Sequence, residues 1–442
     1  MSTTCFTVTE HQIPTSHIRE YPRATVDEQE EVLQLAVKQY TPTETFQARE
    51  AVTVIGGHAN GFPKELYEPL WDELYERLKA KGIRIRGIWI ADVAHQGQSG
   101  VLNEEKLGND PSWMDHPRDL FLMINHFRTA MKRPIIGIGH SMGGNNLVNL
   151  SLMHPRLFTT LILIDPVIQR QLSQQGNYSP ARASAKRRDR WPSRAAAQAS
   201  FKRSKFYQTW DPRVLDLWVR YGLRDLPTHL YPDRTTSRSS TLPVLTADPS
   251  TAAITTEREV TLTTTKHQEV LTFLRPTPSA IPATTPQLQE LQYPDLDPEN
   301  YPDLPFYSPA LIPTFNKLPH LRPSVLYIYG SLSHLSAPLL RADRRATTGN
   351  GVGGSGGVKK GRVDEVVFEG VGHLIPMEVV GLTAGACEGW VGAELERWRA
   401  GEEGERGEWA TVERGRRGEM SEAYLRAIFD DGGEKGAKQA KL

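Results

Sequence analysis

Cysteine is nearly absent from the 442 residues, and the two that occur, Cys5 and Cys387, stand far apart with no paired spacing. This excludes a Cys-rich zinc site and a disulfide framework, and it predicts two free thiols in a reducing compartment. An excess of charge of either sign is lacking too, since Lys plus Arg number 52 and Asp plus Glu number 52. Without a basic field there is nothing to hold a phosphate backbone, so nucleic acid is not an expected partner. No apolar run approaches the roughly 20 residues that span a bilayer. Met1 to Pro14 has no basic stretch followed by an apolar one, so neither secretion nor membrane integration is expected. Internal repeats with a period of a few tens of residues are missing, which removes solenoids and propellers. Neither a cofactor nor a metal is expected.

What the chain does have is a rhythm of short Val/Ile-rich runs alternating with amphipathic segments. Ala51 to Gly57 (AVTVIGG) reads as a buried strand ending in glycines, and Glu65 to Lys81 follows at helical spacing. Ile83 to Asp92 is a second strand, Leu120 to Met131 a helix, Pro134 to Gly139 a third strand, Gly143 to Met153 a helix, and Leu161 to Asp165 a fourth strand. Such alternation predicts an α/β fold whose mainly parallel central sheet carries helices on both faces. The rhythm stops after Asp165 and resumes at Ser324 to Gly330 and Val363 to Glu369, the closing strands. Residues 166–322 are therefore read as a cap inserted over the C-terminal edge of the sheet, where ligands bind in such folds. Near 232–256 this insert is Ser/Thr-rich without apolar periodicity and reads as a flexible loop. The expected layout is an N-terminal extension at 1–50, a core at 51–165 and 323–400 interrupted by the cap, and a polar tail at 401–442. The tail ends in Ala440-Lys441-Leu442, the small-basic-Leu form of the peroxisomal address that an import receptor reads.

A serine hydroxyl attacks a carbonyl only if a base takes its proton and the side chain projects into open space. A tight strand-to-helix turn provides the projection and needs small flanking residues, giving G-x-S-x-G. Gly139-His140-Ser141-Met142-Gly143 fits, and so does Gly353-Gly354-Ser355-Gly356-Gly357. Context separates them. Ser141 follows the apolar run Ile135 to Ile138 and precedes Leu147, Leu150 and Met153 at helical spacing, whereas Ser355 lies in a glycine-rich segment read as a flexible connection. Ser141 is the expected nucleophile.

The base should follow the last strand, and the glycines of Glu369-Gly370-Val371-Gly372-His373 allow the loop to carry His373 back over the sheet edge. His58 and His140 are less suitable, being placed in the oxyanion loop and the elbow. The acid that orients the imidazole usually follows the penultimate strand, yet Ser331-Leu332-Ser333-His334 contains no carboxylate. Asp343, the nearest acid downstream, sits in an Arg-rich segment that reads as a solvated helix. Asp165, at the end of the strand after the nucleophile helix, is assigned instead, with Asp343 or no acid at all as the alternatives. For the oxyanion hole the backbone amides of Met142 and Asn60 are expected, Asn60 being preferred to Ala59. The Asn60 side chain is within range of substrate, though a loop Asn more often bonds its own backbone. The turn Asp92 to Ser99 is read as packing beside the site.

Taken together, the elbow at Gly139 to Gly143, the loop His58 to Glu65 (HANGFPKE), the Asp92 to Ser99 turn, Trp210 to Asp216 (WDPRVLD), the Gly351 to Gly357 segment, Gly372-His373 and the C-terminal tripeptide resemble the α/β-hydrolase superfamily. Within it the chain is similar to the fungal peroxisomal branch of toxin-biosynthesis hydrolases and yeast peroxisomal lipase-like enzymes. The resemblance covers roughly Val54 to Met377 and is weakest in the cap. It implies hydrolysis of a small acyl ester or thioester in peroxisomes, in lipid or secondary-metabolite metabolism. The missing carboxylate after Ser324 to Gly330 departs from the commonest superfamily pattern. Two other readings stand beside hydrolysis: acyl transfer to an acceptor other than water, and a non-catalytic binding protein that keeps the fold.

Overall fold

Eight strands form the main sheet: Phe6–Pro14 (β1), Gln34–Pro42 (β2), Val52–Gly57 (β3), Ile85–Ala91 (β4), Ile135–His140 (β5), Thr160–Ile164 (β6), Ser324–Gly330 (β7) and Val363–Phe368 (β8). The structure is a computed structural model in which residues 3–44, 51–171, 174–232, 258–276, 291 and 306–429 are described. The spatial order is β1-β2-β4-β3-β5-β6-β7-β8. From β4 to β8 every neighbouring pair is parallel, while β1 with β2 and β2 with β4 are antiparallel.

Successive strand residues point to opposite faces. Leu161 and Leu163 of β6 join Val325, Tyr327 and Tyr329 of β7 in the main core, with Leu147, Val148 and Leu150 of the helix Met142–Met153. The intervening residues Ile162, Ile164, Leu326 and Ile328 are buried as well. A strand covered on both faces has no polar positions to alternate with, which is why these runs are continuously apolar in sequence. This is an α/β-hydrolase fold.

The first 50 residues do more than the extension expected of them, because β1 and β2 add two strands to the sheet. The outermost, β1, is buried only at Phe6 and Ile13 and carries Thr, Glu, His and Gln between them, as an edge strand open to solvent can. Nothing in its composition marks it as part of a core.

Between β6 and β7 lie the helices Gln174–Lys186, Arg194–Arg203, Pro212–Tyr221, Lys266–Phe273 and Leu311–Lys317, with a small sheet ordered Arg190–Trp191, Val260–Leu262, Leu223–Asp225. Phe62, from the loop after β3, packs its ring against both Trp210 and Trp218 of this insert, at centroid distances of 5.7 and 5.9 Å. The Ser/Thr-rich stretch 233–256 and the tripeptide 440–442 fall outside the described residues. A second unit begins at Leu395 and comprises the end of the helix Val380–Thr411 and the helix Glu422–Phe429.

The glycine-rich segment around Ser355 is not the loose connection its composition suggests. The amides of Gly351 and Ser355 donate to Pro319 and Leu321 carbonyls, and Gly356 donates to Gly349, so the glycines serve a tight, backbone-bonded loop. Both cysteines are free and buried. Among the described residues no helix is long and apolar enough to cross a membrane.

Candidate active site

Register places the site. In the β5–β6 pair His140 is opposite Ile164, so the next residue on each strand, Ser141 and Asp165, emerges side by side at the C-terminal edge. Both turn sharply there, with φ of +56° at Ser141 and +41° at Asp165, in the left-handed region that costs a non-glycine residue on the order of 1–3 kcal/mol. Backbone bonds hold the strained pair in place. Ser141 N–H donates to Ile164 O at 2.9 Å, Asp165 N–H to Ile328 O at 2.7 Å, and Val167 N–H to Ser141 O at 3.2 Å. The small flanks of the serine are dictated by close approach. A Cβ on Gly143 would fall 2.2 Å from the carbonyl carbon and oxygen of Gly57, and one on Gly139 would fall 2.6 Å from Gly143 O.

His373 reaches this edge from the loop after β8. Its Nδ1 is 2.6 Å from Asp165 Oδ2 and its Nε2 is 2.9 Å from Ser141 Oγ. A carboxylate only accepts, so Nδ1 carries the hydrogen and the bare Nε2 accepts from the serine hydroxyl. That is the tautomer a general base needs. Asp165 is fully buried and Ser141 nearly so, while the imidazole is partly exposed.

The loop after β7, where no carboxylate stands, has other tasks. Ser331 Oγ accepts from Gly370 N–H at 2.9 Å, bracing the loop that carries His373, and Ser333 Oγ accepts from Leu335 N–H. Asp343 pairs instead with Arg170 at 2.8 Å near the surface. Its neighbour Arg344 is buried, donating to the carbonyl of Pro166 at 2.9 Å and to that of Leu335. This guanidinium thereby staples the Asp165 turn to the loop after β7. Nothing in the Arg-rich sequence distinguished Arg344 from its solvated neighbours.

On the other side of Ser141 lie the two expected oxyanion donors. Among the described residues neither the Met142 nor the Asn60 amide has a hydrogen-bond partner, whereas Ala59 N–H is occupied by Tyr67 Oη at 2.8 Å. The Asn60 side chain is committed to other segments rather than to its own backbone. It donates to Glu269 O at 3.0 Å and accepts from Gln96 Nε2 at 2.7 Å. Gln96 Oε1 in turn accepts from Gly61 N–H at 2.8 Å, so the Asp92 to Ser99 turn grips the oxyanion loop through one amide side chain. Asp92 itself is buried against Lys64 at 2.6 Å.

A cavity of ≈ 80 Å³ opens on Ser141 and His373, walled by Trp113, Val167, Phe273, Leu311, His334 and Leu335. A wider depression of ≈ 630 Å³ shares Trp113, Phe273 and Ser308 with it. A mainly apolar wall with a few convergent polar groups suits an acyl chain. These wall residues come from five separate segments, so no local pattern could have announced them. His58 and His140 face elsewhere: His58 accepts from Val93 N–H, and burial pushes its imidazole down. Among the described residues no cluster of His, Cys, Asp and Glu is arranged to hold a metal.

Comparison with known proteins gives a consistent picture. The family described as Serine aminopeptidase, S33, matches residues 69–253. A type I acyl-CoA thioesterase, mpaH, of Penicillium roqueforti is 47% identical over 406 residues, covering 90% of each chain. An abhydrolase domain-containing protein, AFT2-1, of Alternaria alternata is 27% identical over 261 residues, 59% of this chain and 84% of that one. Among solved structures, the peroxisomal alpha-beta-hydrolase Lpx1 of Saccharomyces cerevisiae superposes with a TM-score of 0.63 at 17% identity, covering 89% of this chain and 90% of its own. At that identity the likeness speaks to the fold.

Proposed function

Because the chain belongs to the α/β-hydrolase family that contains the fungal type I acyl-CoA thioesterases, we propose that it hydrolyses acyl-CoA thioesters through an acyl-enzyme on Ser141. It is a serine hydrolase of ester or thioester bonds. The observation that carries the assignment of roles is the continuous Asp165–His373–Ser141 hydrogen-bond line, at 2.6 and 2.9 Å, ending beside two unpartnered amides.

Ser141 Oγ attacks the thioester carbonyl carbon as its proton passes to His373 Nε2. Asp165 stabilises the imidazolium so formed, and the Met142 and Asn60 amides receive the developing oxyanion. The C–S bond breaks, His373 returns its proton to the departing thiolate, and the acyl group stays on Ser141. Water, deprotonated by the same imidazole, then releases the carboxylic acid. The likeness to a thioesterase along nine-tenths of both chains favours a CoA thioester over an oxygen ester.

A panel of acyl-CoA thioesters, nitrophenyl esters and glycerides tests the substrate class. The expected outcome is a kcat/KM for the best CoA thioester at least about tenfold above that of any oxygen ester of matched acyl chain. Preference for a glyceride or a nitrophenyl ester would reject it. The natural acyl group belongs, on this reading, to fungal secondary metabolism.

The tripeptide Ala440-Lys441-Leu442 is assigned to a peroxisomal import receptor. Removing these three residues from a fluorescently tagged chain should turn a punctate peroxisomal pattern diffuse. A pattern unchanged by the deletion rejects the assignment.

A further inference from the structure

The oxyanion loop and the loop carrying His373 arise from opposite sides of Ser141, and a buried line of hydrogen bonds joins them beneath it. Ala59 N–H donates to Tyr67 Oη at 2.8 Å, Tyr67 Oη lies 3.0 Å from His140 Nδ1, and His140 Nε2 lies 2.9 Å from the backbone oxygen of His373. Chemistry fixes the direction of every link. A carbonyl only accepts, so His140 Nε2 carries the hydrogen; an amide only donates, so the Tyr67 oxygen accepts from Ala59 and sends its own hydrogen to the bare Nδ1. Tyr67 and His140 are buried, with relative exposures of 2% and 0%. Burial and the neighbouring His373 push the His140 imidazole down to about 3, so the ring stays neutral. Burial also raises the Tyr67 phenol, which keeps its proton.

Each end of the line fixes a group that the reaction needs. The Ala59 carbonyl and the Asn60 N–H belong to one planar peptide, so they turn together. That carbonyl is held by His58 Nδ1 at 2.9 Å and by Phe62 N–H at 3.2 Å. With the preceding Ala59 amide anchored on Tyr67, the chain is gripped on both sides of Ala59 and the Asn60 N–H keeps one aim. At the other end, the His373 backbone is pinned while Asp165 sets the tilt of its ring.

We infer that Tyr67 and His140 are positioning residues that hold the Asn60 amide and the His373 backbone in one rigid frame around Ser141. Neither side chain touches a reacting atom. The inference rests on the roles proposed above for Ser141, His373 and Asn60.

Tyr67→Phe removes one oxygen from the line and nothing else. It should lower kcat on an acyl-CoA thioester about 10- to 100-fold, the cost of an ångström-scale misplacement, with KM held within about twofold. The rate of fluorophosphonate labelling should fall with it. His140→Gln keeps a donor for His373 and an acceptor for Tyr67, and should retain most of the turnover that His140→Leu loses. The double variant Tyr67→Phe/His140→Leu should be no slower than the slower single one, because both break the same line. All are assayed below their own melting temperatures. A Tyr67→Phe enzyme that loses only thermal stability and keeps wild-type kcat overturns the inference. So does a His140→Gln enzyme as slow as His140→Leu, which decides the matter even if Tyr67→Phe does not fold. Ser141→Ala run in parallel separates the two failures: if it still hydrolyses the thioester, the catalytic reading falls and the frame with it, whereas if it is dead while Tyr67→Phe is unimpaired, only the frame falls.

Discussion

Ser141→Ala is expected to lower kcat on an acyl-CoA thioester by about six orders of magnitude and to abolish labelling by a fluorophosphonate. The size of the loss follows from there being no substitute at the position. The hydroxyl faces His373 Nε2 at 2.9 Å, and an alanine leaves the imidazole with no nucleophile to activate. What remains is binding plus the proposed oxyanion donors, the Met142 and Asn60 amides, which would still polarise the carbonyl toward attack by water; such remnants are worth about 10³–10⁴ over the uncatalysed reaction. The fold should be untouched, because every bond that holds the turn is made by the backbone of residue 141. Full labelling of the alanine variant, or turnover within tenfold of wild type, would show that another residue is the nucleophile.

Asp165→Asn should cost about 10⁴ in kcat with little change in KM. An amide placed against Nδ1 can present its NH₂ group, which forces the imidazole hydrogen onto Nε2 and points a donor at a serine oxygen that needs an acceptor. Even with its oxygen toward Nδ1 it supplies no charge to stabilise the imidazolium. Asp343→Asn is the matched control. It removes a surface pair with Arg170, an interaction worth about 0–1 kcal/mol, and should leave turnover at the wild-type level. A reversal of the two results would move the acid to Asp343, and wild-type activity in both would leave the imidazole with no carboxylate partner. Unchanged far-UV dichroism in Asp165→Asn keeps a folding defect from being mistaken for a catalytic one.

How much of this site could be read from the sequence depended on whether a residue's role is local. The strain at Ser141 and the crowding of Gly139 against Gly143 act within five residues, so they leave a local pattern, and the decoy at Ser355 is rejected by the absence of a strand before it. The nearness of Asp165 to Ser141 was legible for a different reason: parallel neighbours keep register, and two strands that end level put their following residues together. The grip of Gln96 on Asn60 and Gly61, the line through Tyr67 and His140, and the staple made by Arg344 all act between segments far apart in the chain. Their sequences look like an ordinary turn, an ordinary helix start and an ordinary charged helix. The strands β1 and β2 were missed because β1, at the sheet edge, has no need of the continuous apolar run that betrays β5 or β6, and the run of β2 is broken by Lys38 and Gln39.

With the proposed acid, Asp165, just past the end of β6, the loop after β7 is left without a part in moving protons. His334 and Leu335 line the cavity from that loop, and Ser331 steadies the base from it. In an enzyme whose carboxylate sits there, a change of wall shape at this corner risks the chemistry. On the proposed roles, a change of side chain at His334 or Leu335 reshapes the cavity wall and leaves the Asp165–His373–Ser141 line untouched.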